Sequence, residues 1–376
     1  MGLKIAILKE TAEHERRVAA TPDTVKKLCA LKADVFVESG AGLNASIPDE
    51  AYTAAGAKVE TSPRLEEADV VLTVQPPKAD QVSRLKKGAL VVGLLAPYSN
   101  ASLLKTLAAQ NINSFSMELV PRITRAQSMD VLSSQSNLAG YKAVLDATEY
   151  FTRAFPMMMT AAGTIAPARV FVMGAGVAGL QAIATAKRLG AIVSATDVRP
   201  AAKEQVQSLG GTFVAVEDEE FKQAETAGGY AKQMSAEYQA KQKALVEEHI
   251  AKQDIVITTA LIPGRPAPRL VSEAMVKSMK PGSIVVDLAV ETGGNCEVAE
   301  AGKVVKKHGV TIIGHLNVPS RLATDASMLY AKNLLNLLTL IIKDGELSIN
   351  WDDDVIKGIA LTRDGTIIHP NFKEQA

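Results

Sequence analysis

Three glycines and one aspartate have the spacing of a dinucleotide-binding turn. Gly174, Gly176 and Gly179 form the pattern G-x-G-x-x-G directly after the apolar run Arg169–Met173, and Asp197 ends the next apolar run. In such a turn the first glycine permits a tight bend between strand and helix, the second lets the backbone approach a pyrophosphate, and the third lets the helix pack closely on the strand. The spacing therefore predicts a strand, a phosphate-binding turn and a helix.

The residues around this turn indicate which nucleotide it binds. The phosphates would lie at the positive end of the helix that begins near Val177. Asp197 follows Gly176 by 21 residues, where its carboxylate can accept hydrogen bonds from the 2′- and 3′-hydroxyls of the adenine ribose and repel a 2′-phosphate. This favours NAD(H). Arg199 is the feature that would favour NADP(H), because a guanidinium can bind a 2′-phosphate, but the Asp197 carboxylate opposes it.

The composition is that of an ordinary globular protein. The chain has 376 residues, 47% of them apolar, which is enough for two domains with substantial cores. Lys plus Arg and Asp plus Glu both number 41, so the charge balance gives no reason to expect nucleic acid as a partner. Cys29, Cys296 and five scattered histidines predict neither a disulfide framework nor a metal site. The start of the chain has no leader character, and a cytosolic location is expected.

Apolar runs alternate with helical stretches twice along the chain, which predicts an α/β protein with two doubly wound, Rossmann-like parallel-sheet domains. A long helical stretch near 137–153 separates the two series, and another near 320–342 follows the second. We therefore expect these helices to link a discontinuous N-terminal domain, residues 1–133 and 325–376, to a nucleotide-binding domain of residues 134–324. The cleft between the domains is the expected active site. The tail at 360–368 predicts a hairpin.

Two polar segments are candidates for ligand contacts. Residues 121–137 are dense in hydrogen-bonding side chains and follow the fifth predicted strand, at the edge where doubly wound sheets bind ligands. The alternative is a capped connection in which Ser133 or Ser134 starts the next helix. Residues 218–241 hold Tyr230 among small and charged residues, so this segment is either a loop that closes over a cofactor or a solvated surface loop.

The chain resembles the NAD(H)-binding domain I of proton-translocating nicotinamide nucleotide transhydrogenase over nearly its whole length. The resemblance lies in the glycine turn and in three further segments: Arg122-Ile-Thr-Arg-Ala-Gln-Ser-Met-Asp-Val-Leu-Ser133, Ala224-Glu-Thr-Ala-Gly-Gly-Tyr230, and Thr258-Thr-Ala-Leu-Ile-Pro-Gly264. It is similar in extent to the separate first alpha subunit of the three-subunit form of that enzyme.

The resemblance implies roles for the matching residues. Arg122, Gln127, Asp130 and Ser133 match the loop that holds the dihydronicotinamide and its ribose, and Tyr230 matches the aromatic residue of a mobile loop over the nucleotide. The implied nucleotide contacts are Gly174, Gly176, Val177, Ala178, Gly179, Asp197, Val198, Arg199, Tyr230, Ala260 and Leu261.

The resemblance also implies the partners: a homodimer, an NADP(H)-binding domain III on a beta subunit, and a membrane domain II that carries protons. The chain would then sit peripherally on the cytoplasmic face of the inner membrane. The implied reaction is direct hydride transfer from NADH to NADP⁺, coupled to proton movement. Such a transfer needs no acid–base group, only approach, orientation and exclusion of water.

Two alternative functions remain at this point. Alanine dehydrogenase shares the opening pattern Lys9-Glu10…Arg17-Val-Ala-Ala-Thr-Pro22, but Gln75 and apolar residues ending at Leu95 stand where that family carries lysine and histidine. We interpret Arg17 as structural or vestigial. The other alternative is a non-catalytic NAD(H)-sensing module.

Of the remaining features, Met157–Met159 are expected to pack in a core, and Cys296 is expected to be inert because no base accompanies it.

Overall fold

The computed structural model describes residues 2–222 and 234–373. Contacts divide the chain into two compact units, one comprising Met1–Gln135 and Pro319–Ala376, here called unit 1, and one comprising Ser136–Val318, here called unit 2. The chain passes between the units within one long helix, Val131–Tyr150, and again just before another, Ala323–Ile341.

Strands and helices alternate in the first series of elements as predicted. The elements are β1 Leu3–Ile7, α1 Pro22–Ala30, β2 Ala33–Glu38, α2 Asp49–Ala54, β3 Lys58–Glu60, β4 Val70–Leu72, α3 Ala79–Ser83, β5 Leu90–Gly93, α4 Ala101–Ala109, β6 Asn113–Ser116 and α5 Val131–Tyr150. Short 3₁₀ turns at Leu43–Ala45, Met117–Leu119 and Thr124–Met129 interrupt this series.

The second series opens with a hairpin and then alternates. It consists of β7 Met158–Thr160, β8 Gly163–Ile165, β9 Arg169–Met173, α6 Val177–Arg188, β10 Ile192–Thr196, α7 Ala201–Ser208, β11 Thr212–Phe213, α8 Glu219–Lys222, α9 Ala236–Ile250, β12 Ile255–Thr258, α10 Glu273–Ser278, β13 Ile284–Asp287, β14 Val304–Lys307 and β15 Val310–Ile313. The chain ends with α11 Ala323–Ile341, β16 Ile342–Lys343, β17 Glu346–Leu347, α12 Asp354–Ile359, β18 Ala360–Arg363 and β19 Thr366–Ile367. Further 3₁₀ turns lie at Val290–Thr292 and Val318–Leu322.

Each unit holds one large sheet, and the predicted fold class is confirmed. Within the described residues, unit 1 has the strand order β19-β18-β6-β5-β4-β1-β2-β3 and unit 2 has the order β11-β10-β9-β12-β13-β15-β14. The first six strands of unit 1, and β9 to β13 with β15 in unit 2, pair in parallel. In both sheets the strand order reverses beside the first strand, which is where doubly wound sheets bind ligands.

The cores explain why the strands are continuous apolar runs. All four residues of β5, β12 and β13 are buried, as expected for parallel strands covered on both faces. Each sheet carries one apolar cluster on either face, and α11 supplies Leu334, Leu337 and Leu338 to one of the clusters in unit 1. The predicted C-terminal hairpin forms β18 and β19, and β18 pairs antiparallel with β6.

The prediction that Met157–Met159 pack in a core is wrong. These residues enter the hairpin β7–β8, a two-stranded sheet joined to neither large sheet, and every residue of its strands is exposed. Met159 is 78% exposed and Met157 58%. An apolar composition predicted burial, but a two-stranded ribbon has no packed layer of its own to cover its faces.

In the portion of the chain that the structure describes, no helix has both the length and the apolar character required to cross a bilayer.

Candidate nucleotide-binding site

The glycine turn lies at the carboxyl end of β9, where the unit 2 sheet reverses its strand order. Gly174 adopts φ +103°, a conformation that favours glycine, and an added Cβ would approach the Thr259 hydroxyl to 2.6 Å. A Cβ on Gly179 would lie 1.8 Å from the Gly174 carbonyl oxygen, so only glycine lets α6 pack this closely on the turn. Both contacts supply the steric reason for the spacing of these two glycines.

Gly176 differs because it borders open space. Among the described residues, no heavy atom outside its immediate chain neighbours lies within 4 Å of the Cβ position. It is the N-cap of α6, whose first residue is Val177, so the unpaired N–H groups of this twelve-residue helix face the same region. The space and the helix end together fit the pyrophosphate of a dinucleotide.

A second helix packs against the start of α6. A Cβ on Gly140 of α5 would lie 2.0 Å from the carbonyl oxygen of Ala178. The glycine motif assigns no role to Gly140, because its function is visible only when the helices are placed together. Its missing side chain permits α5 to contact the helix that carries the turn.

Asp197 connects the end of β10 to the glycine turn. Its Oδ2 atom accepts a hydrogen bond from the backbone N–H of Ala175 at 2.7 Å. The guanidinium of Arg199 binds both carboxylate oxygens, with Nε 2.9 Å from Oδ1 and Nη2 3.0 Å from Oδ2. The structure therefore brings both residues to the turn and pairs them with each other.

The segment after β12 forms the neighbouring wall. The Thr259 hydroxyl donates to the Gly174 carbonyl at 2.9 Å, which ties this segment to the turn. Asn295, fully buried, accepts from the Ala260 N–H at 3.0 Å and donates to the Ala260 carbonyl at 2.9 Å. Asn295 thus holds the backbone at Ala260 and Leu261, a role that its distant position in the sequence does not reveal.

Exposed apolar side chains lie at the carboxyl-end edge of the unit 2 sheet, beside the glycine turn. Val177 is 40% exposed, Val198 58% and Leu261 57%. They follow the carboxyl ends of β9, β10 and β12, which are adjacent in the sheet. Exposed apolar residues beside polar donors are what a nucleotide with flat rings and charged phosphates requires, so the residues present fit a nicotinamide dinucleotide.

The second group of predicted residues lies in the polar segment from Arg122 to Ser133, here called the unit 1 loop. Arg122 and Gln127 are exposed, and Gln127 lies in the 3₁₀ turn Thr124–Met129. Asp130 caps α5: its Oδ1 accepts from the Ser133 N–H at 2.9 Å, and its Oδ2 accepts from the Ser133 hydroxyl at 2.5 Å. The helix start predicted at Ser133 or Ser134 therefore lies slightly earlier, at Val131.

Two asparagines of helix α11 form hydrogen bonds with residues of this loop and of the helix start that follows it. Asn333 donates to the Ser128 carbonyl at 2.8 Å and accepts from the Ser134 hydroxyl at 2.8 Å, and Asn336 donates to the same Ser128 carbonyl at 2.8 Å. In the same loop, Arg125 forms a two-pronged ion pair with Asp353, at 2.6 and 2.9 Å. None of these supporting partners was identified from sequence, since each lies about two hundred positions from the loop.

A cavity of about 160 Å³ in unit 1 is lined by Glu10, Thr73 and Gln75 among others. Beside it, Arg17 is buried and binds the Glu15 carboxylate at 2.7 and 2.8 Å and the Gln135 amide oxygen at 2.9 Å. Burial by itself would raise the pKa of the Glu15 carboxyl above its usual 4.5. Its ion pair with Arg17 and the hydrogen bond from Gln75 outweigh burial and lower this pKa to about 2. Arg17 therefore belongs to an internal hydrogen-bonded network, in agreement with a structural role.

Tyr230 lies outside the described residues. The remaining candidates among the described residues carry little chemistry. Cys296 is fully buried, and burial raises the pKa of its thiol to about 11, which leaves no thiolate at neutral pH. Among the described residues, no cluster of three or more His, Cys, Asp or Glu side chains has a metal-binding arrangement.

A glycine turn at the reversal point of a parallel sheet, with a carboxylate after the second strand, defines a dinucleotide-binding protein of the Rossmann type. Family models described as "Alanine dehydrogenase/PNT, N-terminal domain" and "Alanine dehydrogenase/PNT, C-terminal domain" match residues 6–139 and 143–370. The chain is 57% identical over 382 aligned positions to a protein named as the first part of NAD(P) transhydrogenase subunit alpha in Rhodospirillum rubrum, covering 99% of this chain and 100% of that one. The chain belongs to the NAD(P) transhydrogenase alpha-subunit family.

Solved structures agree with this assignment. The crystal structure of transhydrogenase from Sinorhizobium meliloti superposes with a TM-score of 0.90 at 57% identity, covering 97% of this chain and 100% of that chain. An L-alanine dehydrogenase structure superposes with a TM-score of 0.83 at 22% identity, with 99% coverage of both chains. At that identity the second likeness shows a common fold.

Proposed function

We propose that the chain binds NADH and presents its nicotinamide for direct hydride transfer to NADP⁺ held by a partner subunit. The observation that carries this proposal is the chemistry of the unit 1 loop. It exposes an amide, Gln127, and a guanidinium, Arg122, while its one carboxylate, Asp130, is engaged in capping α5. Such a loop can orient a nucleotide by hydrogen bonds, but it offers no group arranged to exchange protons with a metabolite.

The reaction balances without such a group. In NADH + NADP⁺ ⇌ NAD⁺ + NADPH, a hydride with its electron pair leaves C4 of one ring and joins C4 of the other. The roles left to this chain are binding and orientation. The turn at Gly174–Gly179 would hold the pyrophosphate, Asp197 the adenine ribose, and the loop with Arg122, Gln127, Asp130 and Ser133 the nicotinamide end. Val198, Ala260 and Leu261 would border the bound nucleotide.

The proposed partners follow from the family. The relative in Rhodospirillum rubrum is named as one portion of an NAD(P) transhydrogenase alpha subunit, and we propose that this chain likewise works with other subunits. In this scheme NADP(H) binds to a domain III on a beta subunit, and protons pass through a membrane domain II. Attachment to the cytoplasmic face of the inner membrane would run through those subunits.

We also propose that the chain is a homodimer in which the hairpin β7–β8 contributes to the interface. This hairpin exposes Met157, Met158, Met159 and Ile165, and its strands pair only with each other among the described residues. A ribbon of this kind has free edges and exposed apolar side chains, which a second copy of the chain can cover.

The alternative of an alanine dehydrogenase receives no support from the side chains. The Gln75 amide donates to the Glu15 carboxylate at 2.7 Å, so the residue in the lysine position is part of the Arg17 network. Leu95, in the apolar segment that stands where the histidine would be needed, is fully buried. Neither can deprotonate an amine.

The deciding experiment mixes the purified chain with recombinant NADP(H)-binding domain III and follows reduction of an NADP⁺ analogue by NADH. The chain alone should bind NADH and be nearly inert, and the mixture should transfer hydride rapidly. A parallel assay with alanine and NAD⁺ tests the dehydrogenase. Turnover of alanine with NAD⁺ would identify the chain as a dehydrogenase and contradict the proposal. NADH binding without hydride transfer in the mixture would indicate a sensing module instead.

A further inference from the structure

The pairing of Asp197 with Arg199 saturates the carboxylate that the proposed site offers to the adenine ribose. Among the described residues, Asp197 accepts four hydrogen bonds: from the Ala175 N–H, from the Arg199 N–H, and from Nε and Nη2 of the Arg199 side chain. A carboxylate has about four acceptor positions. The Asp197 side chain is consequently only 7% exposed, whereas that of Arg199 is 31% exposed.

The two side-chain bonds occupy one acceptor position on each oxygen. Nε lies 2.9 Å from Oδ1 and Nη2 lies 3.0 Å from Oδ2, so the guanidinium uses a planar edge with two parallel donors. A vicinal diol needs one acceptor on each oxygen too. The Arg199 side chain therefore stands where the two ribose hydroxyls would bind, and it must move aside when they do, while both backbone donors can stay in place.

The same guanidinium edge is suited to a phosphate. Two parallel N–H donors bind carboxylate and phosphate oxygens in the same two-pronged way. Lys203, a cation four residues further along the chain, is paired with Glu217. The Asp197 charge opposes such a contact in two ways, because it binds the guanidinium and repels a phosphate dianion.

We infer that Asp197 and Arg199 form a specificity pair in which Arg199 is a latent binding group for the 2′-phosphate of NADP(H), held out of use by Asp197. This inference rests on the proposed NAD(H) site. It predicts that removing the Asp197 charge does more than weaken NADH binding: it also creates affinity for NADPH, and that new affinity depends on Arg199.

The test is a double-mutant cycle on the full chain, with NADH and NADPH affinities measured by calorimetry. Asp197→Asn should strengthen NADPH binding at least about tenfold, as expected for a charge-assisted two-pronged contact, and the gain should disappear in Asp197→Asn/Arg199→Ala. Asp197→Asn/Lys203→Ala is the matched control, which removes the other cation, and it should keep the gain. Arg199→Ala alone should bind NADPH as weakly as the unaltered chain.

Asparagine retains an oxygen for the Ala175 N–H, so the turn should survive, and circular dichroism with a thermal melt checks this. Asp197→Ala provides a second neutral variant with the same expected gain. Unchanged NADPH affinity in both folded neutral variants would overturn the inference, and so would a gain that persists without Arg199. If the unaltered chain fails to bind NADH, the proposed function falls and this inference falls with it.

Discussion

Asn333 offers the sharpest test of how the loop of unit 1 is positioned. It is 7% exposed and joins the Ser128 carbonyl to the Ser134 hydroxyl, with both hydrogen bonds at 2.8 Å. Asn333→Ala removes both bonds in a buried place, which should lower the free energy of unfolding by about 1–3 kcal/mol. Asn336→Ala is the matched control, because Asn336 donates to the same carbonyl from a more exposed position, and its loss should cost about 1 kcal/mol or less.

The effect on activity should exceed the effect on binding. Loosening the unit 1 loop should displace Gln127 and Arg122 while the glycine turn stays unaltered. A displacement of about 1 Å can slow an oriented reaction about 100-fold. We therefore expect Asn333→Ala to slow hydride transfer with domain III by about 10- to 100-fold, with NADH affinity changed by less than about threefold. Urea unfolding, calorimetry and single-turnover transfer measure the three quantities. Equal behaviour of Asn333→Ala and Asn336→Ala in unfolding and transfer would refute the reasoning.

Three further predictions concern other regions of the chain. Gln127→Asn should slow transfer with little loss of NADH affinity, and a large affinity loss with an unchanged rate would contradict the assignment of the loop. Burial raises the pKa of Glu10 from 4.5 to about 7, so its ionisation destabilises the fold as pH rises through that window. Glu10→Gln should accordingly be neutral at pH 4 and raise the free energy of unfolding at pH 8 by up to about 3 kcal/mol in urea titrations. Met159→Asp should shift the homodimer towards monomer in light scattering while the thermal melt stays native, and an undiminished dimer would exclude this hairpin from the interface.

Local patterns in the sequence determined the fold class. The strands of both sheets are apolar runs because parallel strands are buried on both faces, and a run such as Ile255–Thr258 carries that information by itself. The glycine turn is equally local, since Gly174 adopts φ +103° and a Cβ on Gly179 would collide with the Gly174 carbonyl oxygen five residues earlier. Alternating strands and helices left few arrangements other than two doubly wound sheets.

Only the tertiary structure decided which groups support or modify the candidate sites. Asn333 lies 205 positions from Ser128 and Asn295 lies 35 from Ala260, so no periodicity or motif links them. Arg199 is close to Asp197 in sequence. Whether its guanidinium binds the Asp197 carboxylate or extends into solvent nevertheless depends on the geometry of the turn. Met159 was expected in a core and is exposed, because burial depends on whether another layer lies over the strand, and the side chain alone does not specify that layer.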